Sequence, residues 1–437
     1  MLQKILTETD IDVLEALVNE NHSARAEFLA NPAMPHPNCC YPHLERGRYE
    51  SALEKIAEYR ASGHMDTLSF YERQTAELML GFREKIHRFL LAVCQWHDAS
   101  DPEEKRLAAQ AHAQTNQALY GLPDKNTFDA ILAEQISRIC RKNLNDAEKA
   151  MWAELEPMLP PLPAHPEAVF RPGDELLHRF SEAASAFYEP LLRHIPTDRD
   201  EFTVQEAADI TSEILRTELS EYGDIWQAVA EPGRTSAAVD QEKRRILFPA
   251  DRTPNTYTRI ALVKIITHEV GVHVLRAMIY QNMNLPAFSK GFPGYETIEE
   301  GIAKLMEQGV SCEYQESGIV HYITAGLAHF YGMGFRQIFE IQKRLQKLSR
   351  DASEILCYQS VQRAFRGTDV LPIYKDLVYF NGAEQVWRYT AAHIDDPQLF
   401  DRLLLSAKTN CFDAAQIQLV YEAKTGRFQN QDSLNRL

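Results

Sequence analysis

The sequence predicts a mostly α-helical fold with a small β-sheet (α+β). Apolar residues fall at helical spacing over most of the chain, proline and glycine clusters separate these stretches, and one short apolar run has the composition of a strand. The chain has 437 residues, more than the roughly 250–300 at which a single hydrophobic core stops growing. We therefore expect two substructures.

The first substructure is a helical N-terminal region over residues 1–165. Helical spacing runs from about Ser51 to Trp152, with breaks at 98–102 and 121–123. The region ends in the connector EPMLPPLPAHP, whose five prolines prevent a helix from continuing.

The second substructure is expected over residues 166–437. The segment RRILFPAD, residues 244–251, is the best short strand of the chain. Helical patterns surround it, and four of them bear on the function: residues 174–192, 204–222, 258–280 and 298–308.

Charge and cysteine usage limit the partners and the compartment. The 62 acidic residues exceed the 46 basic ones, a net charge of −16 that repels a phosphate backbone and disfavours anionic membranes. The seven cysteines have no regular spacing and predict reduced thiols in a cytoplasm. The longest apolar helical patterns contain histidines or charges, so we expect no membrane span.

One apolar helix carries two imidazoles and a carboxylate in the pattern HExxxH: His268, Glu269 and His273. HExxH-like spacing is how zinc peptidases place two ligands and a general base. On a regular α-helix, residues five apart lie roughly 140° apart and cannot chelate one ion. A π-bulge absorbs the extra residue, and Gly271 tolerates such a distortion. The spacing therefore predicts a bulge or kink at residues 270–272.

A catalytic zinc site needs a third protein ligand and an open position. The following helical segment supplies two candidates, Glu300 and, as the alternative, Glu299, of which Glu300 lies next to the small Gly301 and can approach the ion more closely. Glu269 is then the general base, which takes a proton from water and delivers it to the leaving amine. The predicted cofactor is Zn²⁺.

Several segments resemble the signatures of a metallopeptidase family that contains the microtubule-associated tyrosine carboxypeptidases and the bacterial QEGLA-motif proteins. HEVGVH at 268–273 resembles HE(I/V)G(T/V)H, and EEGIA at 299–303 resembles (Q/E)EGLA. Three further segments are similar to the family's LYGxP, RxxRG and TKDxxYLxG motifs: ALYGLP at 118–123, RAFRG at 363–367 and YKDLVYFNG at 374–382.

The resemblance implies a zincin-like catalytic domain of the gluzincin type over residues 166–437. It places His268, His273 and Glu300 on zinc and Glu269 as the base. The characterised animal members are carboxypeptidases, so the implied substrate is the C-terminus of a peptide or protein. Gluzincins often carry an acid four residues beyond the ligand glutamate, but Lys304 stands there, so a carboxylate that supports an imidazole must come from elsewhere.

Other residues have candidate roles around this site. Arg363, Arg366 and Lys375 are candidates for holding the terminal carboxylate of a substrate, since a cation is required and the planar fork of arginine binds both oxygens. Tyr379 could donate to the oxyanion or pack as a half-buried aromatic residue. Arg276 is expected to form a structural ion pair with a buried carboxylate. The strand RRILFPAD is expected to be an edge strand beside the substrate.

The sequence leaves three alternatives open. A zinc endopeptidase or dipeptidyl peptidase would use the same metal residues, because HExxxH does not decide where a peptide is cut. A non-catalytic metal-binding regulator would close the zinc with a fourth protein ligand. The N-terminal region could instead be a docking module. The oligomeric state is not predicted.

Overall fold

A computed structural model describes residues 2–219, 226–234, 236–278 and 291–425. It is mostly helical, as predicted, and it has two small sheets where one was expected. The first group of helices is α1 Leu2–Glu8, α2 Val13–Ala16, α3 Ala24–Ala30, α4 Arg46–Ala61, α5 Phe70–Asp98, α6 Pro102–Tyr120, α7 Lys125–Cys140, α8 Asp146–Leu155, α9 Asp174–Leu192 and α10 Val204–Glu218. Short 3-10 turns lie at His64–Thr67 and Glu156–Met158. The predicted breaks before α6 and after it are confirmed.

The second group of helices begins with α11 Arg259–Ile265, which continues through a π-helix at Ile266–Val274 into α12 Leu275–Met278. It goes on with α13 Tyr295–Ser311, α14 Ile319–Tyr331, α15 Phe335–Arg350, α16 Glu354–Phe365, α17 Leu377–His393, α18 Leu399–Leu404 and α19 Ala414–Lys424. The predicted helix over residues 174–192 is confirmed. The predicted helix over residues 204–222 is observed at Val204–Glu218, and the one over residues 258–280 at Arg259–Met278. Residues 220–222 and 279–280 of these predictions lie outside the described residues.

The strands form one sheet of three and one of two. Their bounds are β1 Glu201–Thr203, β2 Gln227–Glu231, β3 Ala238–Asp240, β4 Arg245–Pro249 and β5 Thr256–Thr258. The order of the larger sheet is β2-β4-β3, with β2 parallel and β3 antiparallel to β4. Strands β1 and β5 pair antiparallel.

Strand β4 is the predicted strand RRILFPAD, but it is not an edge strand. Within the described residues it has a partner on each side, so its backbone is already paired along both edges. The physical reason is its composition: Ile246, Leu247 and Phe248 are all buried, and a continuous apolar run is typical of a strand that is covered on both faces. The prediction that this segment is an edge strand is wrong, and its backbone is not available to pair with a substrate.

The described chain forms two compact units. Unit 1 comprises Met1–Thr67, Ala76–Val169 and Gly318–Phe380. Unit 2 comprises Leu68–Thr75, Phe170–Ser317 and Asn381–Leu437. The predicted limit near residue 165 lies close to the end of the second segment of unit 1. The return of residues 318–380 to that unit was not predicted.

Unit 1 is held together by side chains from its sequence-distant parts. In one core, Phe28 of α3 and Phe128 of α7 pack with buried residues of α14 to α17 such as Phe335. A Cβ atom at Gly326 of α14 would lie 2.0 Å from the Phe128 ring, so only glycine permits this approach. A second core joins the first helices to Ile373. The N-terminal helices therefore share their cores with residues 318–380.

Unit 2 contains both sheets and the HExxxH segment. One core lies between the larger sheet, α10 and the α11 to α12 segment; the other contains α9, α13 and Trp387 of α17. Helices α13 and α17 meet at two glycines: a Cβ atom at Gly301 would lie 2.2 Å from the Gly382 carbonyl oxygen, and one at Gly382 would lie 1.8 Å from the Thr297 carbonyl oxygen. The backbones of the two helices are therefore in direct contact.

Two predictions about the whole chain can be compared with the structure. Among the described residues, no helix combines the length and apolar character needed to cross a membrane. All seven cysteines are free thiols.

Candidate metal centre and its supporting residues

The HExxxH segment lies in a π-helix, as its spacing predicts. Helix α11 begins at Arg259, where the Thr258 hydroxyl accepts a hydrogen bond from the Ala261 N–H, and it passes into the π-helix at Ile266. The wider turn of a π-helix brings residues five apart to the same side. The rings of His268 and His273 accordingly lie 4.8 Å apart between centroids. The predicted distortion at residues 270–272 is confirmed, and it extends over nine residues.

Gly271 has a packing role at the centre of the π-helix. A Cβ atom there would lie 2.4 Å from Cε1 of Tyr188 on α9, which is closer than carbon atoms can approach. The buried Tyr188 hydroxyl donates a 3.1 Å hydrogen bond to the Gly271 carbonyl oxygen. Glycine is therefore required by the close approach of an aromatic ring, in addition to the conformational tolerance that the sequence suggested.

Three predicted site residues come together in unit 2. Potential ligand atoms of His268, Glu269 and His273 all lie within 4.8 Å of one another. Glu300 is half-buried on α13, which packs against the π-helix, but among the described residues it is not part of this close group. The structure thus brings the two imidazoles and the predicted base together and places the predicted third ligand on the neighbouring helix.

Each imidazole is held by a carboxylate of α13. Nδ1 of His268 lies 2.5 Å from Oε1 of Glu307, and Nδ1 of His273 lies 2.8 Å from Oε1 of Glu299. Because each Nδ1 is used in this way, Nε2 is the nitrogen that each ring keeps for a metal. These carboxylates fix the orientation and the tautomer of both rings.

Glu299 lies in a buried network of opposite charges. Besides His273, it accepts hydrogen bonds from Nε of Arg276 at 3.0 Å and from Nζ of Lys408 at 2.6 Å. The predicted ion pair of Arg276 is therefore confirmed. Burial raises the pKa of Glu299, but Lys408, His273 and Arg276 together hold that pKa well below its usual range. Since both oxygens of Glu299 are engaged, Glu300 is the one of the two candidates that could hold a metal.

The surroundings of His268 favour positive charge. Burial lowers the pKa of this imidazole, but the hydrogen bond to Glu307 and the charges of Glu269, Glu307 and Glu300 raise it to about 9. Glu307 is itself compensated by Lys304, whose Nζ lies 2.7 Å from Oε2. Three carboxylates around one imidazole create a negative potential that a divalent cation can neutralise.

The residues present fit a zinc ion. Two imidazole nitrogens and one carboxylate, with a further carboxylate beside them, are the donor set of catalytic zinc sites. Each imidazole also has the carboxylate partner that zinc-binding histidines usually have. His268, His273 and Glu300 would hold the ion, and Glu269 would remain beside it as a base.

The predicted substrate residues lie in unit 1 and have different partners there. Arg363 donates to both oxygens of Asp376, at 2.7 and 2.9 Å, and to the Tyr379 hydroxyl at 3.1 Å. Nε of Arg366 donates to the Arg363 carbonyl oxygen at 3.0 Å. Nζ of Lys375 lies 5.9 Å from the centre of the Tyr120 ring. Arg363 is thus already bound to a carboxylate of the protein.

Two supporting residues were missed by sequence reasoning. Glu307 lies seven residues beyond Glu300, two turns along the same helix face, so helical spacing could have identified it. An acid was expected four residues beyond Glu300, where Lys304 stands; the supporting acid is Glu307, three residues further along the helix. Lys408 had no signal, because nothing in its local sequence connects it to α13.

One of the comparisons with known proteins agrees with the resemblance found in the sequence. No curated protein and no solved structure matches the chain. One family model matches residues 166–427, and its description is microtubule-associated tyrosine carboxypeptidase. This match covers more than half of the chain and contains every residue of the metal centre described above. The chain therefore belongs to the microtubule-associated tyrosine carboxypeptidase family.

Proposed function

We propose that the protein is a zinc-dependent carboxypeptidase of the gluzincin type that removes C-terminal residues from a peptide or protein in the cytoplasm. The observation that carries this proposal is the pair of imidazoles turned to one side by the π-helix, each with its Nδ1 on a carboxylate and with Glu269 beside them. Family membership supports the carboxypeptidase activity.

The metal and the chain's own residues have separate tasks in this proposal. Zinc, when bound, supplies a Lewis acid that polarises a carbonyl group and makes water more acidic. Glu269 takes the proton of the attacking water and passes it to the leaving amine. Glu307 and Glu299 keep the two rings in the orientation that metal binding requires.

The proposed substrate is a free C-terminus. Of the three predicted cations, Arg366 and Lys375 are the ones proposed for its carboxylate, because Arg363 is already bound to both oxygens of Asp376. Tyr379 is the proposed oxyanion donor. Since the family's description names tyrosine, a C-terminal tyrosine is the first side chain to test.

The test is mass spectrometry of peptides with free C-termini after incubation with the full chain, with and without a chelator. We expect loss of single C-terminal residues, which the chelator abolishes and added zinc restores. Cleavage within the peptides would favour an endopeptidase, and release of dipeptides would favour a dipeptidyl peptidase. A protein that binds no zinc would contradict the proposed cofactor.

Two variants separate the metal from the base. Glu269→Gln is expected to keep one zinc per chain and to lose about 10²- to 10⁴-fold in rate, because a general base contributes that much. His268→Ala is expected to lose both zinc and hydrolysis. Glu103→Gln, which changes a carboxylate of an exposed ion pair, is the matched control. Full hydrolysis by Glu269→Gln would refute the assigned base.

A further inference from the structure

The loop between helices α16 and α17, residues 366–376, carries both cations proposed for the substrate. Arg366 is its first residue and Lys375 its last but one. Residues that position a substrate act only from a fixed geometry, and small displacements reduce their effect. Whatever holds this loop in its conformation is therefore part of the design of the site.

Asp369 lies within the loop in a backbone conformation that non-glycine residues seldom adopt, with a φ of 60°. Such a conformation is costly and persists only where neighbouring groups hold it in place. The two oxygens of this buried carboxylate accept hydrogen bonds from the Tyr41 hydroxyl, at 2.6 Å, and from the Cys39 N–H, at 2.8 Å. Both donors belong to the N-terminal region.

Two further side chains of the N-terminal region bind the backbone of the same loop. Nε2 of His97 on α5 lies 2.6 Å from the Gly367 carbonyl oxygen. The buried amide of Asn116 on α6 donates to the Pro372 carbonyl oxygen at 2.9 Å and accepts from the Tyr374 N–H at 3.0 Å. By pairing a C=O and an N–H two residues apart, this one side chain does for the loop what a neighbouring strand does in a sheet.

The loop and the residues that hold it lie in different parts of the sequence. The loop lies inside the range 166–427 that matches the family, whereas residues 39, 41, 97 and 116 all lie before it. Buried polar contacts of this kind select one conformation, because a donor or acceptor left unpaired in the interior is costly. A segment of the family's region therefore depends on a part of the chain that the family match does not include.

We propose that Tyr41 and Asn116 are positioning residues, which hold the α16–α17 loop in the conformation from which Arg366 and Lys375 bind a substrate. The N-terminal region is then a support of the substrate site and not a separate docking module. The role of the two cations rests on the proposed function, but the holding of the loop does not. A loop that is ordered before binding loses less entropy when the ligand arrives, so its affinity is higher.

The first test is hydrogen exchange, followed by mass spectrometry, on the full chain without substrate. Peptides that cover residues 366–376 report the opening of the loop, because the Asp369 and Tyr374 amides exchange only when their hydrogen bonds open. We expect Tyr41→Phe and Asn116→Ala each to speed this exchange by about 10-fold, the factor that the lost hydrogen bonds are worth.

The matched control is Tyr49→Phe, which also removes a buried tyrosine hydroxyl from the N-terminal region. The Tyr49 hydroxyl donates to the His43 carbonyl oxygen at 3.1 Å, so its partner is not in the loop. Exchange of the loop peptides should stay at the wild-type rate in this variant. Equal exchange in Tyr41→Phe, Asn116→Ala and Tyr49→Phe would overturn the proposal.

The second test separates positioning from a loss of folded protein by steady-state kinetics on an N-acetylated peptide that ends in tyrosine. Tyr41→Phe and Asn116→Ala are expected to raise KM by about 10-fold and to leave kcat within about twofold, because the loop carries binding groups and not the metal centre. A smaller fraction of folded protein would instead lower the apparent kcat and leave KM unchanged. Tyr49→Phe should change neither constant.

The two proposals fail separately. Faster loop exchange in Tyr41→Phe and Asn116→Ala with an unchanged KM would overturn the positioning role, while the proposed function would stand. A protein that cleaves no peptide, but whose loop loses protection in these two variants and not in Tyr49→Phe, would confirm that the N-terminal residues hold the loop. That result would refute the proposed function alone.

Discussion

Two buried charge clusters, one in each unit, have opposite surpluses. In unit 2, three carboxylates surround His268, and only one of them, Glu307, has a lysine partner in the network described above. In unit 1, Arg363 is hydrogen-bonded to Asp376, and this carboxylate also acts electrostatically on Arg366, for which the described residues provide no ion pair of its own. One cluster lacks a positive charge and the other a negative one.

The comparison of the two clusters shows how an incomplete buried ion pair can indicate a ligand. A buried charge whose partner lies within the protein has a structural role, as with Arg363 and Asp376 or with Arg276 and Glu299. A buried charge without such a partner is stable only if something else supplies it. The surplus of each cluster therefore indicates the sign of the charge that could compensate it: positive in unit 2 and negative in unit 1.

The largest expected effect comes from removing the compensated carboxylate of unit 2. Glu299→Gln leaves Arg276 and Lys408 buried without their anion, and breaking a buried pair in this way costs about 3–5 kcal/mol. Urea unfolding should show this loss, and the metal-free protein should show it as clearly as the loaded one.

The control for this prediction is Glu103→Gln, which removes one partner of an exposed ion pair with Arg106. Exposed ion pairs contribute little to stability, so the urea midpoint of this variant should barely change. Equal stability of the two variants would show that the network around Glu299 is not a structural ion pair.

A smaller effect tests whether the shape of the π-helix matters apart from its charges. Gly271→Ala places a methyl group where the Tyr188 ring lies, and such overpacking costs about 1–3 kcal/mol. Zinc affinity, measured by competition with a chelator, should fall as well, because the two imidazoles lie on either side of this position.

The matched variant is Gly47→Ala, in the exposed part of helix α4, where a new Cβ atom meets nothing within 4 Å. Alanine should stabilise that helix by less than about 1 kcal/mol, because Gly47 lies in its first turn. If Gly271→Ala is as stable as Gly47→Ala and binds zinc normally, the close contact with Tyr188 affects neither stability nor metal binding.

The smallest expected effect concerns the ion pair of unit 1. Asp376→Asn should cost only about 1–2 kcal/mol at pH 7, since solvent reaches Arg363 and weakens the pair. His321, Arg363 and Arg366 outweigh the effect of burial and hold the pKa of Asp376 well below its usual range.

The lowered pKa of Asp376 determines how its contribution to stability changes with pH. A depressed carboxyl pKa stabilises the fold above the unfolded value near 4, and this contribution is lost as the pH falls towards the folded value. The stability difference between wild type and Asp376→Asn should therefore narrow from pH 7 to pH 3 in urea titrations. A constant difference would contradict the assigned ionic role.

Sequence reasoning identified the candidate metal centre because the residues that form it lie close together in the sequence. The spacing of His268 and His273 required a π-turn, and the order of Glu299 and Glu300 restricted the third ligand to two candidates. The sequence favoured Glu300 because of its small neighbour Gly301, and the structure adds that Arg276 and Lys408 engage Glu299. Lys408 is 109 residues from Glu299, too far for any local pattern to reveal the pair.

The errors and omissions have a common cause. Strand β4 was expected at an edge because its neighbours β2 and β3 were not identified. Both are short and only partly buried, so their sequences show little alternation of apolar and polar residues. The return of residues 318–380 to unit 1 depends on packing such as that of Phe28 on Phe335. Helical periodicity shows which face of a helix is apolar, but not which distant helix covers it.

The backbone contact between Gly301 and Gly382 affects how mutations in this protein are interpreted. Neither glycine carries a functional group, but a side chain at either one would push away the helix that bears Glu299, Glu300 and Glu307. A survey of substitutions scored by enzyme turnover would therefore rank both positions among the least tolerant. Only a separate measurement of the amount of folded protein would distinguish these two packing positions from residues that take part in the reaction.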